Sequence, residues 1–143
     1  MKIPLNIKEW AGGKRIMLYA TLMHDDPHIF APIEFIIDTG SPTTLLGEID
    51  AKRFRISKIQ LNKLEGRKSP INIGGGQIQT KVLPNAKIKI NDFETSIPIQ
   101  VVIENEKGNT LATSIIGVDF LEKAKLKLVF DPTKSEAYLE SSE

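Results

Sequence analysis

Asp38, Thr39, Gly40 and Ser41 are the residues best placed to do chemistry. They follow the apolar run Phe35-Ile36-Ile37 and precede Pro42-Thr43-Thr44-Leu45-Leu46. Strand interiors disfavour aspartate, so this carboxylate belongs at the end of a buried strand, in the turn made by Gly40 and Pro42. With the Thr39 and Ser41 hydroxyls beside it, a carboxyl so placed can serve as a general acid or base. The triplet alone also reads as an ordinary Asx or Ser/Thr turn that closes a strand. A second candidate is Gly74-Gly75-Gly76, between Ile73 and Gln77. Three glycines make a flexible hairpin tip, or a loop whose backbone amides can approach a ligand and close over it. A phosphate cradle is the poorest reading, because Gln77-Ile78 lacks the Lys-Ser/Thr of a P-loop and no helix is predicted there. His24 and His28 flank Asp25 and Asp26, but Pro27 breaks the helical spacing that would aim the two rings at one metal, so an exposed loop is predicted.

The elements that must hold these residues are strands. Ala86, Ile88 and Ile90 alternate with lysines; Ile97, Ile99, Val101 and Ile103 form a second alternating row; Leu126, Leu128 and Phe130 form a third. Period two places one set of side chains on each face of an extended chain. Twenty isoleucines strengthen the reading, since β-branched side chains suit a pleated surface. Ala11-Gly12-Gly13 separates Ile3–Trp10 from Arg15–Met23, as in a hairpin. Further strands are predicted at Ile33–Ile37, Ile71–Ile73, Gln77–Leu83, Ala86–Ile90, Phe93–Ile103 and Glu136–Leu139, divided by Gly, Asn-Asp and Asp-Pro turns. Only Glu48–Phe54 and Asp119–Lys125 look helical, the second with Asp119 as its N-cap. Trp10, Tyr19 and Tyr138 are expected to pack. Glu140-Ser141-Ser142-Glu143 is polar enough to fray. The pattern predicts one all-β domain over 1–143, a small barrel or sandwich with one or two short helices.

Composition closes several routes. The 143 residues carry 19 basic and 18 acidic side chains, a formal charge of +1, with no basic block to attract nucleic acid or an anionic membrane. The absence of cysteine excludes disulfides, a thiolate nucleophile and Cys-ligated metals. No stretch has the length of a membrane span and the N-terminus lacks a signal-peptide core, so a cytoplasmic location is expected. A Ser–His–Asp hydrolase is a poor candidate: both histidines precede Asp38, and Gly-x-Ser-x-Gly is missing.

Ile36-Ile37-Asp38-Thr39-Gly40-Ser41 resembles the active-site signature of aspartic proteases. Ile115-Ile116-Gly117-Val118-Asp119 is similar to the apolar-apolar-Gly segment that retropepsins place behind that loop, followed by a short helix. Ile71-Asn72-Ile73-Gly74-Gly75-Gly76-Gln77-Ile78 sits where retropepsins carry a flap hairpin. The resemblance covers about residues 14–140 and implies a retropepsin-like closed β-barrel.

It also implies a mechanism. In this class two carboxylates about 3 Å apart share one proton, one acting as base toward water and the other as acid toward the carbonyl oxygen. The chain has one such triplet, so the resemblance implies a homodimer in which Asp38 of each copy meets on a twofold axis. Thr39 would brace the two loops, Gly40 would turn the backbone beneath the dyad, and the Ser41 hydroxyl would bond the carboxylate. Ile73, Gly74, Gly75, Gly76 and Gln77 would form the substrate-binding flap, and Ile115, Ile116 and Gly117 would support the active-site loop. Asp119 lacks a following Thr-Gly and is not read as a second catalytic acid. Pro42 departs from the viral pattern of acidic residues after the triplet, and viral members also interleave their termini in a dimer sheet. The expected activity is an aspartic endopeptidase acting on extended, largely apolar segments of peptide or protein, with no metal or organic cofactor. The alternative is a non-catalytic peptide-binding or dimerisation module on the same fold.

Overall fold

The alternating isoleucine-rich segments become strands. A computed structural model describes residues 1–10, 12–67, 69–73, 76–104 and 107–142. Its strands are β1 (Lys2–Pro4), β2 (Asn6–Trp10), β3 (Gly13–His24), β4 (Ile29–Ile37), β5 (Leu45–Leu46), β6 (Ile71–Ile73), β7 (Gly76–Ile90), β8 (Phe93–Ile103), β9 (Ile115–Ile116), β10 (Leu126–Asp131) and β11 (Glu136–Ser141). Three short helices join them: α1 (Glu48–Arg53), α2 (Lys58–Lys63) and α3 (Val118–Ala124).

The larger sheet runs β2-β3-β4-β9-β5-β8-β7-β6. An additional antiparallel pairing of β3 with β7, through Thr21–Lys89, Leu22–Ile88 and Met23–Lys87, joins that sheet back on itself. Strands β3 to β7 therefore close a barrel, which removes most exposed edges. Its interior holds the inward side chains of these strands, with Phe120 of α3 among them: Leu22, Phe35, Leu83, Ile88, Ile99, Val101, Ile116 and Phe120 are all completely buried. Burying each such side chain stabilises the fold by about 1.5–3 kcal/mol. A smaller cluster, Leu45, Ile71, Ile78 and Val102, lies at the base of the β6–β7 hairpin, with half-buried Leu111 and Ile115 against it.

Several expectations are corrected. The segment predicted as two strands, Gln77–Leu83 and Ala86–Ile90, is one long strand, because a bulge between Leu83 and Ala86 absorbs Pro84 and Asn85. Asn85 takes the left-handed backbone (φ 56) that asparagine tolerates. Helix α2 is unforeseen; it starts on a reciprocal cap in which Ser57 and Gln60 bond each other's backbone amides. Tyr19 does not pack: it is exposed, with Lys8 Nζ 5.6 Å from its ring centre. Among the described residues no helix is long and apolar enough to cross a membrane.

Residues 140–142, expected to fray, are held; Glu143 lies outside the described residues. β1, β11 and β10 form a separate three-stranded antiparallel sheet with β11 in the middle. Leu5 N donates to Ala137 O (3.1 Å), Ser141 N to Met1 O (3.4 Å) and Ser142 N to Lys125 O (3.1 Å). The β10–β11 turn is tied by Asp131, whose Oδ1 accepts from the Thr133 hydroxyl at 2.6 Å and from Thr133 N at 3.0 Å. The Thr133 hydroxyl holds the Asp131 carboxyl below its ordinary 3.8. A carboxyl lowered on folding stabilises above its unfolded pKa, and that contribution is lost as pH falls through the folded value. We therefore expect Thr133→Val to lower stability at neutral pH and to flatten its acid dependence below about pH 4. Urea titrations from pH 2 to 7 read this directly.

Candidate active site

Asp38 stands at the first position past β4, where the strand leaves the barrel. Its own amide is still held: Asp38 N donates to Ile116 O at 3.0 Å, continuing the parallel pairing of β4 with β9 (Ile36–Ile115, Ile37–Ile116). The chain then turns at once. Ser41 N donates to Asp38 O at 3.1 Å, and Gly40 N donates to the Asp38 carboxylate Oδ1 at 2.9 Å. An Asx-type turn and a fixed carboxyl are thus the same object: the turn holds the side chain through Oδ1. Asp38, Thr39 and Gly40 are exposed on the single chain. The Ser41 hydroxyl, expected to donate to the carboxylate, donates instead to Thr43 O at 2.7 Å. It stiffens the loop rather than touching Asp38.

Behind the loop lies the apolar-apolar-Gly segment. Strand β9 is inserted between β4 and β5, the two strands that flank the loop, and pairs with both. Gly117 follows it directly beneath residues 41–43. A Cβ at this position would lie 2.7 Å from Ser41 O and closer still to Thr43 O, so only glycine lets the two backbones approach. Val118 N donates to Ser41 O (2.9 Å) and Asp119 N to Pro42 O (3.3 Å), using orphan donors of helix α3 to hold the loop.

Asp119 is not the N-cap of α3; Gly117 occupies that position, without a side-chain cap. The Asp119 carboxylate instead accepts from Thr44 N (3.1 Å), the Thr44 hydroxyl (2.7 Å) and Phe120 N (2.7 Å). Thr44 Oγ1 in turn accepts from Gly117 N at 3.1 Å. This completely buried threonine clamps the far end of the Asp38 loop onto α3. We expect Thr44→Val, nearly the same shape, to cost about 1–3 kcal/mol by leaving Gly117 N and one Asp119 oxygen short of a partner. Chemical denaturation of the paired variants Thr44→Val and Thr44→Ser, the latter near neutral, checks it. A second brace was equally invisible in the sequence. Buried Ser114 donates to Asp50 Oδ2 (2.6 Å), accepts from Gly47 N (3.0 Å), and accepts Ile36 N on its carbonyl (3.0 Å), joining α1 to β4.

The glycine-rich hairpin is formed by β6 and β7, with Ile71–Ile78, Asn72–Gln77 and Ile73–Gly76 opposite one another. Gly76 and Gln77 lie within it; Gly74 and Gly75 are outside the described residues. Among the described residues no group of three or more His, Asp or Glu side chains is spaced to hold a metal ion. His24 Nδ1 and Nε2 each lie 2.9 Å from a backbone carbonyl, of Pro27 and Pro84, which engages both ring nitrogens, while His28 is exposed. A groove of about 620 Å³ lies between α1, α2 and the β7–β8 pair, lined by Lys52, Lys58, Leu61, Lys81 and Glu104 among others; Asp38 to Ser41 do not line it.

A family model described as aspartyl protease matches residues 21–120.

The chain belongs to the aspartyl protease family.

Within this family its fold is retropepsin-like. It resembles the crystal structure of a retropepsin-like aspartic protease from Rickettsia conorii, with a TM-score of 0.62 and 22% identity over 99% of this chain and 91% of that one. The EIAV protease, solved with the inhibitor HBY-793, gives a TM-score of 0.55 at 21% identity, covering 86% of this chain and 100% of the other. The retroviral protease-like domain of Ddi1 from Leishmania major gives 0.51 at 12%, covering 89% and 96%. No curated protein sequence matches significantly.

Proposed function

We propose that this aspartyl protease family member is an endopeptidase that works as a homodimer through Asp38 of each copy. The observation that carries the reading is the exposed Asp38 carboxyl, fixed by Gly40 N on a loop clamped from behind by Gly117, Thr44 and Asp119. The chain holds one such triplet, so a second copy must supply the other acid. One carboxylate takes a proton from water as it attacks the scissile carbonyl carbon. The other gives its proton to the carbonyl oxygen, forming a neutral gem-diol. The first carboxyl then passes the captured proton to the leaving amine as the C–N bond breaks, and the second regains one from the collapsing diol. Thr39, next to Asp38 and exposed, would brace the paired loops across the axis, and the β6–β7 hairpin would cover the substrate.

The apolar cluster of Leu45, Ile71, Ile78 and Val102 joins the strand after the Asp38 loop to the hairpin base. We take the substrate to be an extended segment, largely apolar, bound in a strand-like manner against the β6–β7 hairpin that this cluster anchors. Digestion of a peptide library between mildly acidic and neutral pH, with Asp38→Asn as control, tests the reading. Cleavage by the intact chain alone supports it. Peptide binding without cleavage by either protein would leave a binding or dimerisation module.

A further inference from the structure

Alternation along β7 puts Lys81 where an apolar side chain belongs. It lies two residues before Leu83 and directly across from Val101 of β8, so the three share one face of the sheet, and both neighbours are completely buried. This lysine therefore leaves the inner face of the barrel, and its side chain lines the groove of about 620 Å³ between α1, α2 and the β7–β8 pair. That volume falls within the range of small-molecule sites, roughly 300–1,000 Å³. Much of the wall is apolar: Ala51, Ile56, Leu61, Val102 and Ile103 contribute to it.

The charges around this wall do not cancel. Lys52 Nζ lies 2.7 Å from Glu48 Oε1, and Glu104 acts on the same ammonium. Lys81 Nζ, partly buried, donates to Leu64 O at 3.2 Å and pairs with no carboxylate among the described residues. Lys58, at the start of α2, has no carboxylate partner among them either. An ammonium bonded to one carbonyl keeps two N–H groups to give, and the cost of drawing it out of water is offset best by an anion.

We propose that the groove binds a small organic acid, an apolar body carrying one anionic head. The head meets Lys81 Nζ, with Lys58 adding to its attraction, and the body lies against Ile56, Leu61 and Ile103. Such a ligand ties α2 to the base of the β6–β7 hairpin. From Leu64 the chain runs beside β7, with Val82 N donating to Glu65 O (2.8 Å) and Arg67 N to Thr80 O (3.2 Å), before it reaches β6. Occupancy therefore restrains the hairpin from outside the Asp38 loop, and the site stands whether or not the chain cleaves peptides.

Two fluorescent probes with the same ring body test this. Anilinonaphthalene sulfonate carries an anionic head, and N-phenylnaphthylamine has none. The sulfonate is expected to bind the intact chain at least roughly tenfold more tightly than the amine. Lys81→Met, which suits an inward strand position, should weaken the sulfonate roughly tenfold and leave the amine unchanged; Lys81→Gln, which keeps a donor for Leu64 O, should do the same. Leu61→Ala should weaken both probes. With the sulfonate saturating, the amides of Arg67 and Val82 should exchange with deuterium several-fold more slowly. Equal affinity for the two probes overturns the proposal. So does a sulfonate affinity that neither Lys81 variant moves, or exchange at Arg67 and Val82 that saturation leaves unaltered.

Discussion

Asp38→Asn protein mixed with an equal amount of intact chain should show, after the copies have reassorted, about a quarter of the peptidase activity of intact chain at the same total concentration, the reference used throughout. Random pairing gives one intact dimer in about four, and a dimer with one aspartate and one asparagine lacks either the base or the proton donor. The variant alone should lose roughly 10³-fold or more in kcat, while its dimer and its melting temperature stay near those of the intact chain. The near-isosteric amide keeps an oxygen to accept from Gly40 N, as the Asp38 carboxylate does at 2.9 Å. An enzyme with both acids in one chain would instead keep about half its activity in the mixture. Activity measured against mixing ratio separates a shared dyad from an independent site.

Gly117→Ala is the second large effect, and it acts without touching substrate. The added methyl would lie 2.7 Å from Ser41 O and nearer to Thr43 O, and both carbonyls belong to a loop already tied by Val118 N and the Ser41 hydroxyl. Neither backbone can retreat without breaking those bonds. We expect a loss of about 3 kcal/mol, a fall in melting temperature of about 10 °C, and peptidase activity lost more steeply than stability. Calorimetry and kcat/KM on the same preparation read both. A variant with unchanged melting and full activity would mean that the loop does not rest on position 117.

Much of the barrel was legible because long alternating rows leave one reading. Phe93–Ile103 is a strand at the boundaries its pattern predicts, and the acid at the end of Phe35-Ile36-Ile37 announces a turn. The parts that were not legible have physical reasons. Strands β5 and β9 are two residues each, too short to show a period, and exist because Leu45 and Ile115 meet across the fold. Helix α2 carried a real signal, the Ser57-x-x-Gln60 cap, on a segment too short to stand out by periodicity. The pairing of Thr44 with Asp119 joins residues 75 apart and depends wholly on where β9 is inserted. Nearby polar residues also mislead: Ser41 adjoins the carboxylate in sequence, yet its hydroxyl serves Thr43 O, and the backbone of Gly40 does the work assigned to it.

The hydrogen bond from Ser141 N to Met1 O brings the outermost strands of the chain into register. A short peptide could therefore splice these two ends into a ring, with fresh termini opened at the Asn91-Asp92 turn between β7 and β8. Such a permuted molecule would keep every ladder in both sheets, and its reporter or affinity label would emerge from the tip of the β7–β8 hairpin.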